Sequence, residues 1–206
     1  MSSAQRRRFA RVLLLTGVCL GALAARATTL TRLQFYQLVQ HSSAIARVRC
    51  VRADTRFEKQ EIWTDTVFEV VQRDKGFLPT PIVVRVPGGK FQHLTSHVDG
   101  VPEFRLGEEV YLFLTGQPGR QFYIVGWTQG TFRIRKDPRT GLETVTQDSA
   151  EVPVFDPQTQ TFTKSGIRNL SMDHFLERLQ KELHRQSLSV GLDQQEKETS
   201  ARSDAR

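Results

Sequence analysis

The sequence predicts a mainly β fold, a small barrel or sandwich of five or six short strands flanked by an N-terminal and a C-terminal helix. Three observations support this prediction. Apolar and polar residues alternate with a period of two in several segments of the middle of the chain. Clusters of glycine, proline and aspartate separate those segments at short intervals, as turns do in small β domains. Helical spacing of apolar residues occurs before and after the alternating region.

The first helix is predicted over residues 30–43. Its leucine, valine and aromatic side chains recur at the spacing of one helix face, and a threonine at its start is a possible cap. We expect this short amphipathic helix to pack on the strands that follow it.

The first strand is predicted over residues 44–53, where the period changes from helical to two. Val48 and Cys50 fall on one face of this strand, whereas Arg47 and Arg49 fall on the other. Because the charged face must meet water, Cys50 is predicted to point into the core as a structural thiol rather than a reactive one.

The following strands are predicted from β-branched and aromatic residues between turn signals. A polar turn at 55–60 separates the first strand from the second, and residues 142–165 have only a weak strand pattern. The other predicted strands are 61–73, 81–87, 110–114, 122–127 and 131–136.

A second helix is predicted over residues 171–185. Ser171 is placed to cap it and Asp173 suits its first turn, ahead of an apolar stripe at helical spacing. Residues 187–206 are mostly polar and lack aromatics, which predicts a disordered tail. The sequence therefore predicts a single β-rich domain over residues 28–186.

Residues 1–27 are predicted to be a cleaved export signal. Arginines near the start precede an apolar stretch of 14 residues, which is shorter than the roughly 20 that a membrane helix needs. Small residues at Ala25 and Ala27 place the cut between Ala27 and Thr28. The arginine cluster leaves both ordinary and twin-arginine export open. We therefore expect a periplasmic or secreted protein.

Removal of the predicted signal changes the charge and the cysteine content. The whole chain has 29 Lys and Arg against 22 Asp and Glu, but five of the arginines lie in residues 1–27. The remaining chain is nearly neutral, which argues against a nucleic-acid partner. Its single cysteine, Cys50, excludes an internal disulfide, and no later segment reaches the length of a membrane span.

A series of short motifs runs in a fixed order through residues 45–134. The series comprises Thr64, Phe68 and Val70, Lys75-Gly76, Pro87-Gly88-Gly89, Pro102-Glu103-Phe104, Gly107-Glu108, Val110, Phe113-Leu114 and Gln129-Gly130-Thr131-Phe132. It resembles a large and poorly described group of exported bacterial proteins.

The same order of elements is similar to the netrin/TIMP-like version of the OB barrel, so the resemblance implies a small OB-like β-barrel. The cysteines that staple that barrel are missing here. The N-terminal cysteine that chelates zinc in the metalloproteinase inhibitors of that group is also missing, and Thr28 or Thr29 offers no thiolate in its place. The resemblance thus implies the fold without that inhibitory mechanism.

The strongest metal-like feature is the pair His93 and His97, with Asp99 and Glu103 close by. Two histidines at i and i+4 share a zinc ion when they lie on a helix, but glycine and proline flank this segment and favour a loop. The pattern favours two solvated histidines, and His93, His97 and Asp99 remain weak metal candidates. No nucleophile elbow, P-loop or dinucleotide motif occurs, so we predict no catalytic residue and no cofactor.

The better functional candidate is the connection over residues 88–109, here called the 88–109 loop. Connections longer than about 12–15 residues often serve as binding loops or lids. Its candidate contact residues are Lys90, Phe91, His93, His97 and Phe104.

These observations favour an exported, non-enzymatic binding or accessory module that acts on a protein or peptide partner. Two alternatives remain open at this stage. One is a metal-dependent hydrolase that uses His93 and His97, and the other is a structural component of a cell-envelope or secretion assembly. The sequence leaves the ligand and the oligomeric state undetermined.

Overall fold

The computed structural model describes residues 30–203, with side chains described as far as residue 189. Within these residues the fold is mainly β with two helices, as predicted. The predicted signal at residues 1–27 and its cleavage point between Ala27 and Thr28 lie outside the described residues.

The two helices are α1 (Phe35–His41) and α2 (Met172–Ser203), and Trp127–Gly130 and Asp148–Ala150 form short 3-10 turns. The strands, in chain order, are β1 (Ala44–Glu58), β2 (Glu61–Lys75), β3 (Ile82–Pro87), β4 (Gly89–Phe91), β5 (Leu94–Ser96), β6 (Glu109–Thr115), β7 (Tyr123–Ile124), β8 (Thr131–Lys136), β9 (Glu143–Gln147), β10 (Val154–Asp156), β11 (Thr161–Thr163) and β12 (Leu170–Ser171).

One antiparallel sheet organises the chain, in the order β12-β9-β8-β6-β1-β2-β3, with β7 also paired to β6. The pairs β4-β5 and β10-β11 form two small separate sheets. The main sheet curls enough for the edge strand β3 to meet the chain just before β7. There, the Phe122 N–H donates to the Val83 carbonyl at 2.8 Å and the Arg85 N–H donates to the Phe122 carbonyl at 2.9 Å. This contact is a single bridge and the sheet remains open, so the predicted closed barrel of five to six strands is not confirmed.

Strand β6 is buried on both faces, which explains why its sequence does not alternate. Val110, Leu112 and Leu114 pack into one apolar cluster with residues of β1, β2 and β3. Tyr111 and Phe113 point the other way, into a second cluster that the two helices cover. The sheet therefore separates two cores.

The second core is built around aromatic rings. Phe35 of α1 and Phe175 of α2 meet Phe113 and Phe132 of the sheet, with ring centroids 5.0–6.1 Å apart. Offset and edge-on pairs at such distances add stabilisation beyond the buried area. These contacts place both helices on one face of the sheet, and the prediction of two flanking helices is confirmed.

Helix α1 and the first hairpin differ from the predicted bounds. The helix begins at Phe35 instead of residue 30, because the preceding residues run as extended chain. Strands β1 and β2 continue through the predicted turn at 55–60 and meet at a two-residue turn, Lys59-Gln60, with φ of 50° and 68°. Positive φ at both positions is the tight hairpin geometry that asparagine and glycine usually signal, and neither is present here.

Helix α2 also runs beyond its predicted end. It continues to Ser203 and takes in most of the segment 187–206 that was predicted to be disordered. Glutamine, glutamate and lysine are frequent in this segment and all favour helix. The helix therefore ends later than the bound of residue 185 that the sequence predicted, and the disorder of residues 187–206 stays a prediction.

Two other predictions concern Cys50 and membrane insertion. The Cys50 side chain is buried in the first core, as its position on β1 predicted, and burial raises the pKa of its thiol. None of the helices in residues 30–203 combines the length and apolarity needed to cross a membrane.

An ion-pair network joins three strands on the side of the second core. The guanidinium of Arg47 donates to Glu109 at 2.7 Å and to both carboxylate oxygens of Glu143 at 2.7 and 2.8 Å. The pKa of Glu143 is lowered mainly by Arg47. Burial alone raises the pKa of Glu109, but hydrogen bonds from Arg49 and Arg47 outweigh it and the net shift is downward.

We expect replacement of Phe132 by alanine to lower the free energy of unfolding by about 3–5 kcal/mol, because this fully buried ring packs on three other rings. Urea denaturation measures the change. The matched control is Phe77→Ala, whose side chain is 68% exposed, with an expected change of about 0.5 kcal/mol or less. Equal losses in the two variants would contradict the assigned core.

Acid should weaken the Arg47 network. Because the folded-state pKa values of Glu109 and Glu143 lie below 4.5, their contribution to stability is fully present above about pH 4.5 and is lost as the pH falls through the folded values. The destabilisation caused by Arg47→Met should therefore be largest at neutral pH and shrink in acid. Urea unfolding of both proteins at pH 7 and pH 3 tests this, and a pH-independent difference would contradict it.

Candidate binding site

The first part of the 88–109 loop is a hairpin, β4-β5, which lies against the long β1-β2 hairpin. Two close contacts fix its start. The Thr64 hydroxyl donates to the Gly88 carbonyl at 2.7 Å, and a Cβ on Gly89 would lie 2.4 Å from the Thr64 hydroxyl oxygen. Gly89 also has a φ of 126°, so glycine is required there. At the other end of β4, the ring of Phe91 stacks on Phe57 of β1, with centroids 6.2 Å apart.

The second part of the loop is anchored by Phe104. Its ring meets Phe68 of the first core edge-on at 5.0 Å, and the guanidinium of Arg133 lies 5.1 Å from its centroid. Phe104 is thus held between a core ring and a cation, which restricts the loop at that point.

Arg133 of β8 holds several parts of the chain together. Its guanidinium donates to the Asp148 carboxylate at 2.7–3.0 Å, to Glu108 at 2.9 Å and to the main-chain carbonyl of Glu103 at 2.9 Å. Burial alone would lower the pKa of Arg133, but the hydrogen bonds and charges of Asp148 and Glu108 raise it. The loop is therefore tied to β8 and to the 3-10 turn after β9 through one side chain.

The end of the loop has its own constraints. The Glu108 carboxylate accepts from the Arg105 N–H at 3.0 Å, and the Gly107 N–H donates to the Cys50 carbonyl at 2.8 Å. Gly107 has a φ of 78°, a conformation that glycine adopts without strain. The F-x-x-G-E spacing thus has a structural explanation: the phenylalanine anchors, the glycine turns and the glutamate binds Arg133.

Between the two parts of the loop and the sheet lies an open cavity of about 270 Å³. Its inner wall includes the apolar side chains of Val86, Val101 and Phe104. The remaining lining residues are mostly small or charged and include Ala53, Thr64, Thr66, Lys90, Thr95, Ser96, His97, Val98, Pro102 and Glu103. An apolar wall with a few polar groups is the usual character of a ligand site.

The structure brings three of the five predicted contact residues to this cavity. Lys90 and His97 are exposed at its lining, and Phe104 forms part of its wall. Phe91 and His93 are not among the lining residues, because Phe91 stacks on Phe57 and His93 lies in the turn between β4 and β5. Phe104 also anchors the loop, because its ring packs against Phe68 and Arg133.

The weak metal candidates do not come together around one ion. Strand β5 separates His93 from His97, and four residues of extended chain span about 13 Å. The His97 Nε2 lies 3.4 Å from a carboxylate oxygen of Asp99, and both side chains are largely exposed. Among the side chains that the structure describes, no three of His, Cys, Asp or Glu form a group that could hold a metal.

Sequence reasoning missed the contribution of the sheet to the cavity. Ala53 of β1, Thr64 and Thr66 of β2 and Val86 of β3 line it alongside the loop. These four residues line the cavity because of the register of three strands, in which Ala53 lies opposite Thr66 and Thr64 lies opposite Val86. No local sequence signal marks these positions.

Comparison of the chain with protein-family models, with curated proteins and with solved structures found no match. The resemblance of residues 45–134 to exported bacterial proteins and to netrin/TIMP-like domains therefore stays a prediction. Its motif residues Gly89, Phe104, Gly107 and Glu108 have the structural roles given above.

Replacement of Arg133 by methionine should release the loop. The change leaves the carboxylates of Glu108 and Asp148 without their partner, and we expect a loss of about 2–3 kcal/mol in the free energy of unfolding. The amides of Cys50 and Gly107 should also exchange with solvent faster, because they anchor the end of the loop.

The matched control for this prediction is Arg185→Met. Arg185 pairs with Glu182 on the surface of α2 and is 63% exposed, so its loss should change stability by about 0.5 kcal/mol or less. Unchanged exchange at Cys50 and Gly107 in the Arg133 variant would contradict the anchoring role.

Proposed function

We propose that this chain is an exported, non-enzymatic binding or accessory module that recognises a protein or peptide partner through the cavity beneath the 88–109 loop. The observation that carries the proposal is the position of this cavity. The segment that the sequence marks as a binding loop forms a cavity wall, and that wall is held in place by half-buried contacts of Phe104 and Arg133. A loop fixed in this way is preorganised for binding.

The dimensions and lining of the cavity support a single apolar side chain as the group that enters it. A cavity of about 270 Å³ lies just below the range of roughly 300–1,000 Å³ typical of small-molecule sites. Anchor side chains that fill such pockets commonly dominate protein interfaces. Lys90, His97 and Glu103 are exposed around the apolar wall and are available for polar contacts with the rest of a partner.

The proposal also includes an OB-like barrel as the fold of the chain. The curl of the sheet and the bridge between β3 and Phe122 support it, since both bring the strands around the first core towards closure. Small barrels of this type bind ligands at strand ends and connecting loops. The cavity lies at such a place, where β3 leads into the loop.

The two other hypotheses draw less support from the site. A hydrolase that uses His93 and His97 requires both imidazoles at one ion, and β5 separates them. A structural component of an envelope assembly would use broad surfaces, so its interactions should be insensitive to single changes in the cavity lining.

Crosslinking followed by affinity capture from the exported fraction tests the proposal with two cavity variants. Ser96→Trp should fill the cavity and Lys90→Glu should reverse a charge at its lining, so both should reduce capture of the partner, by about tenfold or more for Ser96→Trp. The matched controls are Ser187→Trp and Lys181→Glu, two exposed positions on α2 that should leave capture unchanged.

Thermal unfolding of each variant establishes that the fold is retained. Capture of the same proteins by all four variants would contradict the cavity as the binding site and favour a broad structural surface. Turnover of a substrate by the purified protein, without any captured partner, would contradict the hypothesis that the protein is not an enzyme.

A further inference from the structure

The second half of β1 has a free edge. Strand β6 pairs with β1 only from Ala44 to Arg49, and the last contact on that side is made at Cys50 by Gly107 and Glu108. Beyond Cys50, β1 continues for eight residues with β2 on one side and no strand from residues 30–203 on the other. We propose that this edge pairs antiparallel with the same edge of a second copy of the chain, around a two-fold axis at Thr55.

The backbone groups that face outwards follow from the register. The Ile62 carbonyl of β2 accepts from the Gly88 N–H at 2.7 Å and so points away from β1. Its opposite residue, Phe57, therefore also directs its N–H and carbonyl away from the β1-β2 ladder. Alternation along the strand gives Ala53 and Thr55 the same outward direction, and these groups have no hydrogen-bond partner within the described chain.

Charge fixes the partner as a second copy. Around an axis at Thr55, Asp54 faces Arg56 of the other copy and Arg52 faces Glu58 of the other copy, so each charge meets an opposite one. Edge strands usually use charged residues to prevent pairing. Here the charges are complementary to their own sequence in this register, which favours pairing with a second copy.

The intramolecular partners of these charges do not prevent the pairing. Arg52 pairs with Asp54 at 2.8 Å, Arg56 lies 3.5 Å from Asp65, and Glu58 accepts from Arg85 at 3.1 Å. Both Arg52 and Arg56 are more than half exposed, and the Glu58 side chain is 45% exposed. Exposed pairs of this kind contribute little on their own. Their side chains can bridge to a second copy while the main chain forms the ladder.

The other face of the edge is complementary in shape. The same register places Phe57 opposite Ala53 of the second copy, a large side chain against a small one. Phe57 is 47% exposed in the single chain, so pairing covers apolar surface as well as backbone. A two-fold axis at Ala53 or at Phe57 would leave only one kind of ion pair between the two copies. An axis at Ala53 would also require the part of the edge that the hydrogen bond from Gly107 to Cys50 already occupies.

Sedimentation of the exported form over a concentration series tests the proposal. We expect a reversible dimer, whose Kd should rise about tenfold or more in Arg52→Glu and in Glu58→Arg, because each change places two like-charged pairs across the two-fold axis. The double variant Arg52→Glu with Glu58→Arg restores opposite charges and should return Kd to within about threefold of the original.

A fourth variant tests the backbone ladder directly. Thr55→Pro removes an outward N–H without touching the β1-β2 ladder, so the protein should fold and remain monomeric. Circular dichroism and thermal unfolding at low concentration serve as the folding control. The amides of Ala53 and Phe57 should also exchange more slowly as the wild-type concentration rises.

A wild-type protein that stays monomeric at all concentrations would overturn the proposal and leave the edge for a strand of another protein. A dimer that is unaffected by the charge reversals and by Thr55→Pro would also overturn it, because the interface would then lie elsewhere. Neither result depends on the cavity, so the proposed function is tested separately.

Discussion

The guanidinium of Arg133 connects regions that are far apart in the chain, and the shape of the candidate site depends on it. It binds Asp148 after β9, Glu108 before β6 and the main chain of Glu103, while its flat face covers Phe104. Arginine can do this because its planar fork offers several donors in fixed directions. Lysine has a single charged nitrogen and could not hold two carboxylates, a carbonyl and a ring in this arrangement.

A comparable set of hydrogen bonds holds the other side of the molecule. The Gln129 side chain accepts from the Leu33 N–H at 2.6 Å and donates to the Thr31 carbonyl at 2.8 Å, which ties the segment before α1 to the sheet. Gln147 donates to the Gln129 carbonyl at 2.6 Å and accepts from the Ile167 N–H at 3.1 Å. Buried amides at these positions satisfy backbone groups that no strand reaches.

The sequence predicted the parts of the fold that depend on local periodicity. The alternation around Cys50 gave its burial correctly, and residues 110–114 lie in a strand, β6, as predicted. Features that depend on pairing could not be predicted. The Lys59-Gln60 turn lacks the usual turn residues, and the walls of the cavity come from three strands whose register only the folded chain defines. Within the loop, length and composition predicted contact residues of which Lys90, His97 and Phe104 line the cavity, but they could not tell an anchoring ring from a contacting one.

Phe57 belongs to two surfaces at once. Its backbone lies on the free edge of β1, and its ring stacks on Phe91 in β4, the strand that also supplies Lys90 to the cavity. Phe57 therefore joins the free edge of β1 to the strand that supplies Lys90, and removal of its ring would take away a contact from both surfaces.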